Sequence, residues 1–94
     1  MDIRTIKEEE YIAVKISGEF TVSHILKAKE KFMDLIEENL ILKIDLSDVT
    51  EFDSSALQLL YAFSIYMKNR GTNVEIAANN SKTDLFFKTY GMEI

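Results

Sequence analysis

Stretches of strand-like composition alternate along this chain with stretches whose apolar residues recur every three and four positions. That alternation constrains the fold more than any other feature. Residues 3–6 form a first short strand, followed by a charged turn over 7–10 in which Glu8, Glu9 and Glu10 face solvent. Tyr11-Ile12-Ala13-Val14-Lys15-Ile16 has the β-branched and aromatic content of a second strand, which Gly18 is expected to end. From about residue 22 to residue 38, Ile25, Ala28, Phe32, Leu35 and Ile36 mark a helix stripe, with lysines and glutamates opposite. Thr21 and Ser23 are its candidate N-caps.

Leu40-Ile41-Leu42-Lys43-Ile44-Asp45-Leu46 reads as a third strand, mostly buried on both faces. A polar loop is expected over residues 47–52, after which Asp53 or a following serine opens a second helix reaching about Asn69. Gly71 stops it. This helix is apolar nearly all round, so it is either central or presents a surface to a partner. Tyr61, Tyr66 and Met67 are assigned to the core, with a docking face as the alternative. Residues 73–77 form a fourth strand, Asn79-Asn80 a turn, and Ser81-Lys82-Thr83-Asp84 has capping-box spacing. A last helix carries Leu85, Phe86 and Tyr90 and stops near Gly91.

The order β-β-α-β-α-β-α calls for a single α/β domain with helices packed on a mixed four-stranded sheet. The opening pair is expected to be antiparallel and the later crossovers right-handed. At 94 residues there is room for one domain and one modest core. Lys and Arg number 11 against 16 Asp and Glu, for a net charge of −5. Such a chain is a poor ligand for nucleic acid or an anionic membrane, both polyanions.

With no cysteine, a thiol nucleophile, a disulfide and thiolate metal sites are all excluded. One histidine, His24, sits early in the first helix and reads as a surface residue rather than a metal ligand or catalyst. No cofactor or metal is expected. The acidic start resembles no signal peptide, and no run of 18 apolar residues exists, so a cytoplasmic protein without membrane insertion is expected.

The informative stretch is Ile44-Asp45-Leu46-Ser47-Asp48-Val49-Thr50-Glu51-Phe52-Asp53-Ser54-Ser55-Ala56-Leu57. A buried strand ends there and two serines stand at a helix start, where free N–H groups and the positive end of the dipole favour a phosphate. The plainer alternative is capping, since Ser55 and Gln58 have capping-box spacing. Asp45, Asp48, Glu51 and Asp53 form an acidic rim, read as a solvated loop, with a weak Mg²⁺ site or a docking edge as the sharper alternative. A hydrolase using Ser54 as nucleophile lacks a nearby histidine base and a G-x-S-x-G elbow.

Asp45-Leu46-Ser47 followed by Phe52-Asp53-Ser54-Ser55-Ala56-Leu57 resembles the signature of the STAS family, the anti-sigma factor antagonists and their relatives. Gly18-Glu19-Phe20 matches the family's early G-E-L, and Val74-Glu75-Ile76 its strand after the long helix. The run from Leu57 to Phe63 is similar to STAS proteins of bacterial chemotaxis and signalling, and the similarity spans nearly the whole chain.

The resemblance implies a non-enzymatic bacterial adaptor that switches partners. Ser54 would be phosphorylated by a serine kinase that doubles as anti-sigma factor, with Ser55 as the secondary candidate, and a phosphatase would reset it. Asp53 would position the hydroxyl and cap the helix. Glu19, Thr21, Asp53, Ser54, Ser55, Ala56 and Leu57 would meet the partner. Two departures bear on this: Ala56 stands where the family has Gly, and Thr21 where several members have Asp. A second reading is a STAS subunit docking constitutively on the ATPase of an ABC-type lipid transporter. A monomer or a weak homodimer fits either. The chain stops at Ile94, where longer members continue, and apolar surface left open there is expected to invite a partner.

Overall fold

A computed structural model describes residues 1–91. Its elements are β1 (Asp2–Lys7), β2 (Tyr11–Phe20), a single 3-10 turn (Val22–His24), α1 (Ile25–Ile36), β3 (Ile41–Phe52), α2 (Ser54–Asn69), β4 (Val74–Ala78) and α3 (Ser81–Tyr90). The expected order β-β-α-β-α-β-α is the observed one. The four strands lie in the order β1-β2-β3-β4. β1 runs antiparallel to β2, while β2, β3 and β4 run parallel to one another.

Burial alternates along the central strands. Ile12, Val14 and Ile16 of β2, Leu42, Ile44 and Leu46 of β3, and Val74 of β4 are at most 2% exposed. Their register brings them onto one face, where the helices cover them. The intervening Tyr11, Ala13, Lys15, Ile41, Lys43 and Asp45 are only partly covered or exposed. The expectation that β3 is buried on both faces is therefore corrected: the molecule has two layers, and one sheet face meets water. Long polar side chains shield that face. Lys43 Nζ lies 4.2 Å from the centroid of the Tyr11 ring, and Lys15 Nζ lies 3.0 Å from Asp48 Oδ2.

Two further corrections concern strand length. β2 continues through Gly18 to Phe20, and residues 47–52 are not a loop but the second half of β3. Each explains the other. The polar half of β3 finds hydrogen-bond partners in the extension of β2, with Ser17 opposite Asp48, Gly18 opposite Val49 and Phe20 opposite Phe52. Two register shifts, between Lys15 and Ser17 and between Gly18 and Glu19, break the simple alternation. Gly18 has φ +82, a left-handed conformation that a side chain would strain. Val49 and Phe52 anchor this irregular half at 3% and 7% exposure.

Helix α1 buries the expected stripe of Ala28, Phe32, Leu35 and Ile36. Neither Thr21 nor Ser23 caps it through a side chain: Thr21 precedes the 3-10 turn, Ser23 lies within it, and His24 stands at the N-cap of α1. Helix α2 buries Ala56, Leu57, Leu60, Phe63 and Met67. Met67 is in the core as expected, but Tyr61 and Tyr66 are not: they are 39% and 49% exposed, and Ile65 is 46% exposed. A two-layer domain offers one covered face per helix, so an all-round apolar helix must leave its outer face in water. Gly71, at φ +81, follows α2 and donates its N–H to Lys68 O, as a helix stop should.

Helix α3 starts one residue earlier than the capping-box spacing implied. Asn80, not Ser81, is the N-cap, and it forms the capping box with Thr83. Its side-chain Nδ2 also donates to the carbonyls of Leu46, Ser47 and Val49 at 3.2, 3.2 and 2.8 Å. One amide thus holds the start of α3 against the bulged part of β3.

Candidate functional site

Parallel strands β2 and β3 end side by side, and their last register pair is Phe20 with Phe52. The two rings meet edge to face at 5.7 Å, and Phe86 of α3 meets Phe52 in the same way at 5.5 Å. This aromatic floor fixes where both chains leave the sheet. Thr21 and Asp53 follow in extended conformation, and each opens a helical segment. Two helix starts therefore lie next to each other beyond the carboxyl ends of the strands, the usual place for a site in an α/β sheet.

Asp53 joins them. Its Oδ1 accepts the N–H of Ala56 at 3.1 Å, capping α2, and its Oδ2 accepts the N–H of Val22 at 2.9 Å, across to the 3-10 turn before α1. The Asp53 carbonyl accepts the N–H of Leu57 at 3.2 Å. Capping at this segment is thus real, but Asp53 does it. The capping box drawn from Ser55 and Gln58 is displaced, because Ser55 lies inside the first turn.

That frees Ser54. It is the first residue of α2 and is exposed, while Ser55 is half-buried. The next two side chains turn inward: Ala56 is 0% and Leu57 1% exposed, so both support the turn from below. Thr21 is half-buried beside the site, and the Glu19 carboxylate is exposed. Glu19 lies in register with Glu51 and has His24 Nε2 at 3.9 Å from its Oε2. The structure thus gathers Glu19, Thr21, Asp53, Ser54 and Ser55 around one notch.

The acidic rim does not gather there as a whole. Asp45 and Asp48 lie along the open sheet face with Lys15, whose Nζ is 4.0 Å from Asp45 Oδ2. Ser47 donates both its N–H and its hydroxyl to Asp45 Oδ1, at 2.8 and 2.6 Å, and these bonds, chiefly the hydroxyl's, hold the carboxyl below its ordinary range. Among the described residues no three His, Cys, Asp or Glu side chains form a group that could hold a metal.

Two residues at the notch were absent from the expected contact set. Val22 and Leu26 are 65% and 67% exposed, on the 3-10 turn and the first turn of α1. The signal was present in the sequence. Val22, Leu26 and Met33 recur with helical spacing but lie off the core stripe that runs through Ile25, Ala28 and Phe32.

A family model described as Mlab, STAS domain matches residues 3–94. The chain belongs to the STAS family. The domain is also similar in structure to an anti-sigma factor antagonist from Mycobacterium paratuberculosis. That match has a TM-score of 0.84 and 22% identity, and covers 96% of this chain and 77% of that one. A second solved structure, Mglu, matches with a TM-score of 0.69 and 14% identity over 84% of this STAS domain, which corresponds to 19% of that chain. Identities this low speak for the fold alone. No curated protein sequence matches the chain. Among the described residues of this STAS domain, no helix is long and apolar enough to cross a membrane.

Proposed function

We propose that this STAS domain is a non-enzymatic bacterial signalling adaptor of the cytoplasm, whose grip on a protein partner is switched by phosphorylation of Ser54. The partner class is an anti-sigma factor acting as serine kinase, with a phosphatase to reset the switch. The observation that carries the reading is the division of labour at the α2 start. Asp53 does the capping, which leaves the exposed Ser54 hydroxyl at the first helical position with no structural duty to lose.

A phosphate there is held by the α2 N-terminus and its dipole. It also places up to two negative charges beside Glu19 and Glu51 and against the exposed apolar Val22 and Leu26. A partner docked on that patch loses both apolar contact and charge balance. Binding of the unmodified form and release of the phosphorylated form follow.

The test is mass analysis of the protein from its native host with fragmentation to locate phosphate, followed by binding of the co-purifying partner to the unmodified chain, Ser54→Ala and Ser54→Asp. Phosphate on Ser54, with weakened binding of Ser54→Asp alone, supports the switch. Equal binding by all three variants refutes it. The matching family model, which carries the Mlab name, favours a second reading in which the same notch docks constitutively on a transporter ATPase subunit. Co-purification of such a subunit, unaffected by Ser54→Asp, would support that reading.

A further inference from the structure

Helices α1 and α2 do not close on each other along their whole length. Toward their C-terminal ends they leave an apolar groove of about 450 Å³. Its floor is Ile36 and Phe63, each 9% exposed, with the Phe63 ring braced edge to face on Phe32 at 5.2 Å. Its walls are Met33 and Tyr66, 54% and 49% exposed. Lys29, Arg70 and Glu37 complete the rim. The α2 side of the groove lies about 12 Å from Ser54 at Ala62 and about 24 Å at Arg70, at about 1.5 Å of rise per residue.

We infer that this groove is a second docking site, separate from the Ser54 notch, and that it takes an acidic amphipathic helix of a partner protein. Three observations select that occupant. The groove is an open trough between two helices, which a helix face covers well. Its charges reverse those of the chain: two cations to one anion on the rim, against a net charge of −5 for the whole. Arg70 lies over the Tyr66 ring, 5.8 Å from its centroid, so its planar fork is held at the apolar wall where a carboxylate flanking a buried leucine would arrive. Met33 supplies a flexible wall that adapts to the inserted side chain.

That span is about one and a half to three screening lengths at physiological salt, so a charge at Ser54 is largely screened at the groove. The site is therefore indifferent to the proposed switch: one surface grips conditionally while the other holds on.

The experiment uses two synthetic sixteen-residue helical peptides with the same leucine face, one flanked by glutamates and one by lysines. Binding is followed by amide chemical shifts of the full chain and by fluorescence anisotropy. The glutamate peptide is expected to shift resonances of Met33, Tyr66 and Arg70 and to bind at least tenfold more tightly than its lysine twin. Arg70→Glu should reverse that preference, and Met33→Asp should abolish binding of both peptides. All these residues are exposed, and circular dichroism of each variant is the check on its folding. Ser54→Asp should leave the affinity within twofold. Equal binding of the twins, shifts elsewhere on the surface, or loss of binding in Ser54→Asp would overturn the inference. So would a dimer, detected by sedimentation, that already covers the groove. None of these outcomes bears on whether Ser54 is phosphorylated, so the two proposals fail separately.

Discussion

Asp53 holds two helix starts with one carboxylate, and replacing it tests the architecture of the site directly. In Asp53→Ala the α2 cap is lost, at about 1 kcal/mol. The bond from Val22 N–H is lost as well. It is charge-assisted but solvent-exposed, which reduces it to about 1 kcal/mol. The sum is about 2 kcal/mol. For a chain of 94 residues the unfolding entropy is about 0.2 kcal/mol/K, so Tm should fall by about 10 °C. Asp53→Asn separates the two contributions. Asn caps a helix as well as Asp, but one of its two side-chain atoms is a donor. Whichever way the amide turns, either Val22 N–H or Ala56 N–H loses its acceptor. The expected loss is about half that of Asp53→Ala, near 1 kcal/mol. Thermal and urea unfolding followed by circular dichroism give both numbers. If Asp53→Asn matches the unmodified chain, or falls as far as Asp53→Ala, the two-ended role of Asp53 is wrong.

Asn80→Ala should cost about 2 kcal/mol in urea unfolding, because it removes the α3 cap together with the bonds to the Leu46, Ser47 and Val49 carbonyls; Asn80→Asp should restore the cap but not the carbonyl bonds. Gly18→Ala should destabilise by about 1 kcal/mol, since φ +82 strains a side chain and its Cβ would sit 3.4 Å from Met1 Cα. Asp45 titrates below its ordinary value, held there first by the Ser47 hydroxyl and then by the Ser47 N–H. A folded value below the unfolded one means that its contribution is present above the ordinary carboxylate range and is lost as pH falls through the folded value. Ser47→Ala should move the Asp45 titration, read by carboxyl carbon shifts, upward toward the ordinary value and shrink that acid-side loss.

The reading from sequence succeeded where one local period accounts for a whole element. The stripe Ile25, Ala28, Phe32, Leu35 and Ile36 marked α1, and all but Ile25 are at most 9% exposed; the β-branched runs marked the strands, and their alternation with helices led to the sheet class. Asp53 as the opening of α2 was likewise readable, because an N-cap needs only a short acceptor before an apolar run. The errors have a common form. Residues 47–52 are polar at all but Val49 and Phe52, too few apolar positions to mark a strand locally; they are strand because the extension of β2 lies alongside to pair with them. Tyr61 and Tyr66 are apolar, and nothing local marks them as exposed.

What the sequence determined by itself is the set of elements, their order, and the chemistry available at Ser54, since periodicity, caps and residue types are local properties of the chain. The tertiary structure decided the rest. It set which face of β3 meets water, since that depends on whether a second helical layer exists. It brought Val22, thirty-one residues away along the chain, to the second oxygen of the carboxylate that caps α2. It left Met33, Tyr66 and Arg70 around an open groove, because two helices packed on one face of a sheet can bury only one face each. These are relations between segments distant along the chain, and only packing brings such segments together.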